Sequence, residues 1–206
     1  MRRLLAGVVV GLLSNQALAQ ETRVLSCTGP FAKAADEAAL VKAFGRANVV
    51  EADLDGAEGQ TEKGTVLFPK DASRRVEIFW WDTKRKRRPA SIRVQDRSAW
   101  TAKGGASGTP PLRLGAALAD IETANGRSFA LSGFGWDYGG FSNDWKGGAL
   151  DKMEGGCSLS VRFSPDPKAK SALVDKVSGD RALRSDQPAV RAVKPTVSSI
   201  TLGWPE

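Results

Sequence analysis

The chain holds two cysteines, Cys27 and Cys157, and no histidine. Without histidine there is no Ser-His-Asp or Cys-His catalysis, and the commonest metal ligand is missing. A thiol nucleophile is excluded as well if the two cysteines pair. Hydrolysis by a pair of carboxylates needs only two acids with separated pKa values. Glu51, Asp53, Asp55, Asp137 and Asp144 are the acids to weigh, and nothing in their spacing singles one out. No catalytic residue is assigned, and no cofactor.

The acidic stretch Glu51-x-Asp53-x-Asp55-Gly56, followed by Glu62, has the spacing of a calcium loop. Oxygen ligands fall at positions 1, 3, 5 and 12, with glycine at 6. Three features oppose that reading. Position 1 is Glu, Glu58 stands at the usually apolar position 8, and Gly64 to Phe68 signals a strand where a helix should follow. The alternative is an acidic loop that turns on Gly56 and Gly59. No metal ligand is assigned, and calcium stays an open question for residues 51–62.

Lys84, Arg85, Lys86, Arg87 and Arg88 are consecutive cations. Such a run repels itself, so one reading is a solvated hairpin tip that packs against little. The functional reading is a site for an anionic partner: lipid headgroups, lipopolysaccharide, a polyanion or an acidic protein. Trp80 and Trp81 stand just before the run. Neighbours in a strand point to opposite faces, so at most one of them faces a core. A second aromatic set, Phe134, Trp136, Tyr138 and Phe141, is interleaved with glycines. Alternating aromatics suit a half-buried strand, which favours a core face. The alternative is an aromatic platform for sugars or peptides formed by Trp81, Trp136 and Tyr138.

The N-terminus reads as a signal peptide. Arg2 and Arg3 precede an apolar run from Leu4 to Leu13, and Ala17-Leu18-Ala19 is a small-x-small step that puts cleavage before Gln20. The run is too short to span a bilayer, which takes about 20 apolar residues. Removing 19 residues from 206 leaves 187, with no second long apolar stretch and so no transmembrane segment expected. A periplasmic or secreted location follows, and an oxidising compartment favours a Cys27–Cys157 disulfide. Arg2 and Arg3 account for two of the seven net positive charges, leaving +5. That permits contact with anionic surfaces without requiring nucleic acid, and export argues against nucleic acid.

These residues need elements to hold them. Asp36 to Phe44 predicts a helix closed by Gly45. Thr65 to Phe68 predicts a short strand. Arg75 to Asp82 and Ser91 to Gln95 alternate with period 2, which predicts a hairpin joined by residues 84–89. Lys103 to Pro111 reads as a linker. Leu114, Leu118 and Ile121 predict a second helix ended by Asn125-Gly126. Strands are expected over Phe129 to Phe141, Cys157 to Phe163 and Val197 to Trp204, and a short helix over Ala169 to Val177. Ser178 to Pro195 is polar and unpatterned. The chain thus divides into a signal peptide (1–19), a helix-plus-strands unit with the basic hairpin (20–102), a linker (103–111) and a second such unit with a C-terminal strand (112–206). An offset of 81 residues carries Leu40-x-x-x-x-Gly45-Arg46 onto Ile121-x-x-x-x-Gly126-Arg127, and Val76–Asp82 onto Cys157–Phe163.

The stretch Leu114-Gly115-x-x-Leu118-Ala119-Asp120-Ile121-Glu122-x-x-Asn125-Gly126-Arg127, followed by Trp136-x-Tyr138, resembles the SmpA/OmlA-type small outer-membrane lipoproteins. It also resembles the β-lactamase inhibitor protein, built from tandem units of similar shape. Ala116-Ala117 departs from the Met-Thr step of that pattern, and Ser128 or Phe129 stands where proline is common. The resemblance implies an α+β fold: two similar helix-plus-antiparallel-sheet units packed as two layers. It also implies a binding role, and it names no partner. The expected function is an exported, non-enzymatic binding or envelope-assembly protein whose partner is another envelope protein or an anionic surface. The rival readings are an inhibitor-like cap on a secreted enzyme and a carboxylate-dependent glycan hydrolase. No oligomeric state follows from the residues.

Overall fold

In the computed structural model of the protein, the residues described are 23–56, 58–104 and 110–206. The expected signal peptide with its cleavage site, and residues 105–109 of the expected linker, lie outside them. The described residues open with β1 (Val24–Leu25) and then form α1 (Glu37–Phe44). Asp36 starts this helix by accepting from the Ala39 N–H at 2.9 Å, which satisfies a donor that the first turn leaves unpaired. Gly45 ends it at φ +84°, a conformation that favours glycine. Next come β2 (Val49–Asp55), β3 (Thr61–Leu67), β4 (Val76–Asp82), β5 (Arg87–Gln95) and β6 (Thr101–Ala102). Beyond residue 109 come β7 (Leu112–Arg113), α2 (Leu118–Asn125), β8 (Ala130–Ser132), β9 (Phe141–Ser142) and β10 (Ser158–Ser164). The chain closes with α3 (Ser171–Val174), β11 (Ala182–Arg184), α4 (Pro188–Ala192) and β12 (Thr196–Gly203).

The fold is α+β. Seven strands form one antiparallel sheet in the order β2-β3-β4-β5-β12-β10-β9. The last strand enters its middle, with Ile92 opposite Leu202 and Val94 opposite Ile200. Strands β1, β6 and β7 make a small second sheet, and β8 with β11 a two-stranded ribbon.

The period-2 pattern works as expected at β4, β5 and β10. Val76, Ile78, Trp80, Ile92, Val94, Leu159, Val161 and Phe163 are buried in one core with Leu40 of α1 and Leu118 and Ile121 of α2. Each large apolar side chain so buried contributes roughly 1.5–3 kcal/mol. Of the adjacent pair, Trp80 faces the core, its Nε1 donating to the buried Thr65 hydroxyl at 2.9 Å. Trp81 points the other way and is 42% exposed. Cys27 and Cys157 are joined in a disulfide with their Cα atoms 5.7 Å apart. The bond ties the start of the chain to the residue before β10.

Several local expectations need correction. No strand runs from Phe129 to Phe141. β8 ends at Ser132 and the chain then turns, with Gly135 at φ +83° and Gly140 at φ +75° breaking the extended path. Phe134, Trp136 and Tyr138 therefore share no strand face: Phe134 is buried, Trp136 half-buried and Tyr138 exposed. Strand β3 starts four residues earlier than expected, and α2 begins at Leu118, leaving Leu114 in the approach to it. The unpatterned stretch 178–195 contains β11 and α4.

Candidate functional site

The basic run is less of a loop than its sequence predicts. Arg87, Arg88 and Pro89 belong to β5, and only Thr83 to Lys86 turn. The turn is closed by Asp82, whose carboxylate accepts from the Arg85 N–H at 3.0 Å. The hairpin then docks onto the start of α1. The Glu37 N–H donates to the Lys86 carbonyl, and the Arg88 N–H to that of Ala35, both at 3.0 Å.

Lys86 corrects the expectation of a tip that packs against little. Its ammonium lies 2.9 Å from the Glu37 carboxylate and 2.9 Å from that of Glu51. Hydrogen bonding to Glu37, then to Glu51, raises its pKa above that of an ordinary lysine. The same contact holds the Glu51 carboxyl below its usual range.

The other cations of the run face outward. Arg85, Arg87 and Arg88 join Lys33, Asp36 and Asp82 around an open groove of about 780 Å³. Both carboxylates there are engaged, Asp36 in capping α1 and Asp82 with Arg85. Among the described residues, no hydrogen bond or ion pair reaches the side chains of Lys33, Arg87 or Arg88. Lys33 was not a sequence candidate. It lies in the approach to α1, 51 positions before Lys84, and only the docking of hairpin on helix brings it to the cationic run.

The acidic stretch is a hairpin arm. Glu51, Asp53 and Asp55 lie in β2, opposite Thr65, Lys63 and Thr61 of β3. β2 ends at Asp55 and β3 starts at Thr61, and the Gly56 N–H donates to the Gln60 carbonyl at 2.8 Å. A calcium loop curls so that its oxygens converge; here Asp53 is paired with Lys63 at 2.8 Å and Glu51 with Lys86. Among the described residues, no three Cys, Asp or Glu side chains converge as a metal site.

The three expected platform aromatics separate. Trp81 hydrogen-bonds the Trp204 carbonyl at 3.1 Å, on β4. Trp136 and Tyr138 do meet, with ring centroids 5.4 Å apart at 64°. With Phe141 they line an open groove of about 570 Å³ between the β8–β11 ribbon and β9. Asp144, one of the acids considered for catalysis, also lines it. A hydrogen bond from Lys146 holds Asp144 below its usual pKa range. That is opposite to what a general acid needs, and Glu51 is shifted the same way. Asp137 is exposed in the turn after β8.

No family model matches the sequence, and neither a curated protein nor a solved structure matches it.

Proposed function

We propose that the protein is an exported, non-enzymatic binding protein whose hairpin face takes an anionic partner, an acidic lipid surface. The observation that carries this reading is the groove in which Lys33, Arg85, Arg87 and Arg88 gather around two already engaged carboxylates. Cations near an anionic membrane contribute roughly 1 kcal/mol each, so a cluster of four sustains binding without a deep pocket. The signal-like N-terminus and the disulfide support an oxidising compartment outside the cytoplasm.

The proposal extends to a tandem arrangement of two similar units. Each half contributes a glycine-ended helix, α1 or α2, and a run of antiparallel strands. The β5–β12 pairing at the sheet centre is the natural seam between two such units.

The test is co-sedimentation with vesicles of phosphatidylglycerol mixed into phosphatidylcholine, against phosphatidylcholine alone. The variant is Arg85→Ser/Arg87→Ser/Arg88→Ser, which spares the structural Lys86. The wild type sediments with acidic vesicles at low salt and less at physiological salt, where exposed charges are screened over about 8 Å. The triple variant does not sediment. Equal sedimentation of the two proteins removes the groove from the account.

A further inference from the structure

A second groove, far in sequence from the cationic hairpin and independent of that reading, has features of a ligand site. Its volume of about 570 Å³ falls within the range of small-molecule clefts, about 300–1,000 Å³. The loop that carries its rings is fixed in place. The Arg162 guanidinium donates to the Gly139 carbonyl at 2.9 Å and to that of Trp136 at 3.2 Å, and lies 4.9 Å from the Phe141 ring centre. The Trp136 indole N–H donates to the Gly133 carbonyl at 2.9 Å, and the Ser132 hydroxyl to the Tyr138 carbonyl. Gly140 cannot take a side chain, because a Cβ there would run into the Phe163 carbonyl. A loop of glycines would otherwise be loose; this one is braced along its backbone and holds the Trp136 indole by its N–H, with the Tyr138 ring beside it.

The polar lining selects the class of ligand. Asn143 and Asp180 are exposed, and among the described residues no hydrogen bond or ion pair reaches either side chain. Asp144 and Arg181 also line the groove. Lys146 already pairs with Asp144, which leaves Asp180 and Arg181 as one charge of each sign; set beside aromatic faces, these donors and acceptors suit a ligand with hydroxyls at its edges and C–H groups on its faces. An extended peptide is not favoured, because the strand edge beside the groove is occupied. The Ala130 N–H donates to the Asp144 carbonyl at 3.1 Å, and the Phe141 N–H to the Ser132 hydroxyl at 3.1 Å. A peptide adding as a strand would find these groups taken.

We infer that the Trp136–Tyr138 groove binds a short neutral oligosaccharide, its pyranose rings against the aromatic faces and its hydroxyls on Asn143 and Asp180. The test is calorimetric titration of the full chain with cellotriose, chitotriose, maltotriose and xylotriose, with tryptophan emission followed in parallel. At least one binds, at millimolar or better affinity. Asn143→Ala weakens that binding by roughly tenfold, and Trp136→Ala by at least as much. Trp136→Ala removes the bond to Gly133, so its thermal melt is recorded and Trp136→Phe is measured beside it. The phenylalanine variant keeps the calorimetric signal and loses the emission change. Binding of none of the four sugars by folded wild type overturns the inference. So does binding that survives Asn143→Ala and Trp136→Ala unchanged, or a groove that takes an unstructured peptide instead. None of these outcomes bears on the vesicle experiment, which reads different residues.

Discussion

Lys86 donates to the Glu37 carboxylate at 2.9 Å and so fastens the tip of the β4–β5 hairpin to the first turn of α1. The side chains are only 22% and 19% exposed, so the pair is screened less than an ordinary surface pair. Lys86→Met is expected to destabilise the protein by about 1–2 kcal/mol, read as a shift of the urea midpoint. Arg85→Ser breaks only an exposed contact to Asp82 at 3.5 Å and should cost less than about 0.5 kcal/mol. Equal midpoints for the two variants would show that the tether contributes nothing.

The same tether has a pH signature. The Glu51 carboxyl is lowered from 4.5, chiefly by its hydrogen bond from Lys86, so its share of stability is present above pH 4.5 and lost as pH falls through the lowered value. Lys86 is raised from 10.5, chiefly by Glu37, so its share is present below pH 10.5 and lost as pH rises through the raised value. The gap in melting temperature between wild type and Lys86→Met should be constant between these limits and narrow beyond each. A gap that persists unchanged well below pH 4.5 contradicts the link to Glu51.

The Cys27–Cys157 bond closes a loop of 130 residues between two buried sulfurs. Loss of a native disulfide typically costs about 2–5 kcal/mol, and Cys157→Ser should fall in that range. Gly155 packs beneath the bond, where an added Cβ would stand 2.8 Å from the Cys27 carbonyl oxygen with φ at +90°. Gly155→Ala should therefore destabilise by a mechanism that reduction does not mimic. Non-reducing peptide mapping of the exported protein should recover the two cysteine peptides linked. Recovery of two freely alkylated thiols would contradict the bond.

How much was legible in the sequence depends on how local each signal is. Val76, Ile78 and Trp80 alternate with Glu77, Phe79 and Trp81, and period 2 put the first three on one face, which is the face that joins the main core. Asp36 and Gly45 announce the two ends of α1 by type and position. The Phe134–Phe141 stretch alternates just as cleanly and is not a strand, because positive φ at Gly135 and Gly140 overrides the pattern. The sequence contains the glycines but not the torsions they adopt. The groove cations were half legible: five consecutive charges are visible, while Lys33 joins them only through tertiary docking, and that docking engages Lys86 in ion pairs with Glu37 and Glu51. Strands β1, β6 and β7 are two residues long, too short for any periodicity to register.

Glu77 is the most demanding polar residue of the sheet. Its side chain is 6% exposed and accepts from Arg75 at 2.9 Å, Arg93 at 2.8 Å and Gln95 at 3.3 Å. Taking a carboxylate out of water costs several kcal/mol unless its lone pairs are filled, and here three side chains fill them. Glu77→Gln keeps the shape, removes the charge and turns an amide N–H₂ toward guanidinium groups. The expected cost is about 2–3 kcal/mol in a denaturation midpoint. Arg93 has a second task, donating to the Asp55 carbonyl at 2.8 Å and so tying the end of β2 to β5. Arg93→Ala should therefore lower stability and also loosen the end of β2, seen as faster amide exchange at Gly56. In the Arg93→Ala background, Glu77→Gln should cost at least about 0.5 kcal/mol less than it does alone, since residues in one network are coupled. Strict additivity of the two substitutions would mean that Glu77 and Arg93 do not interact.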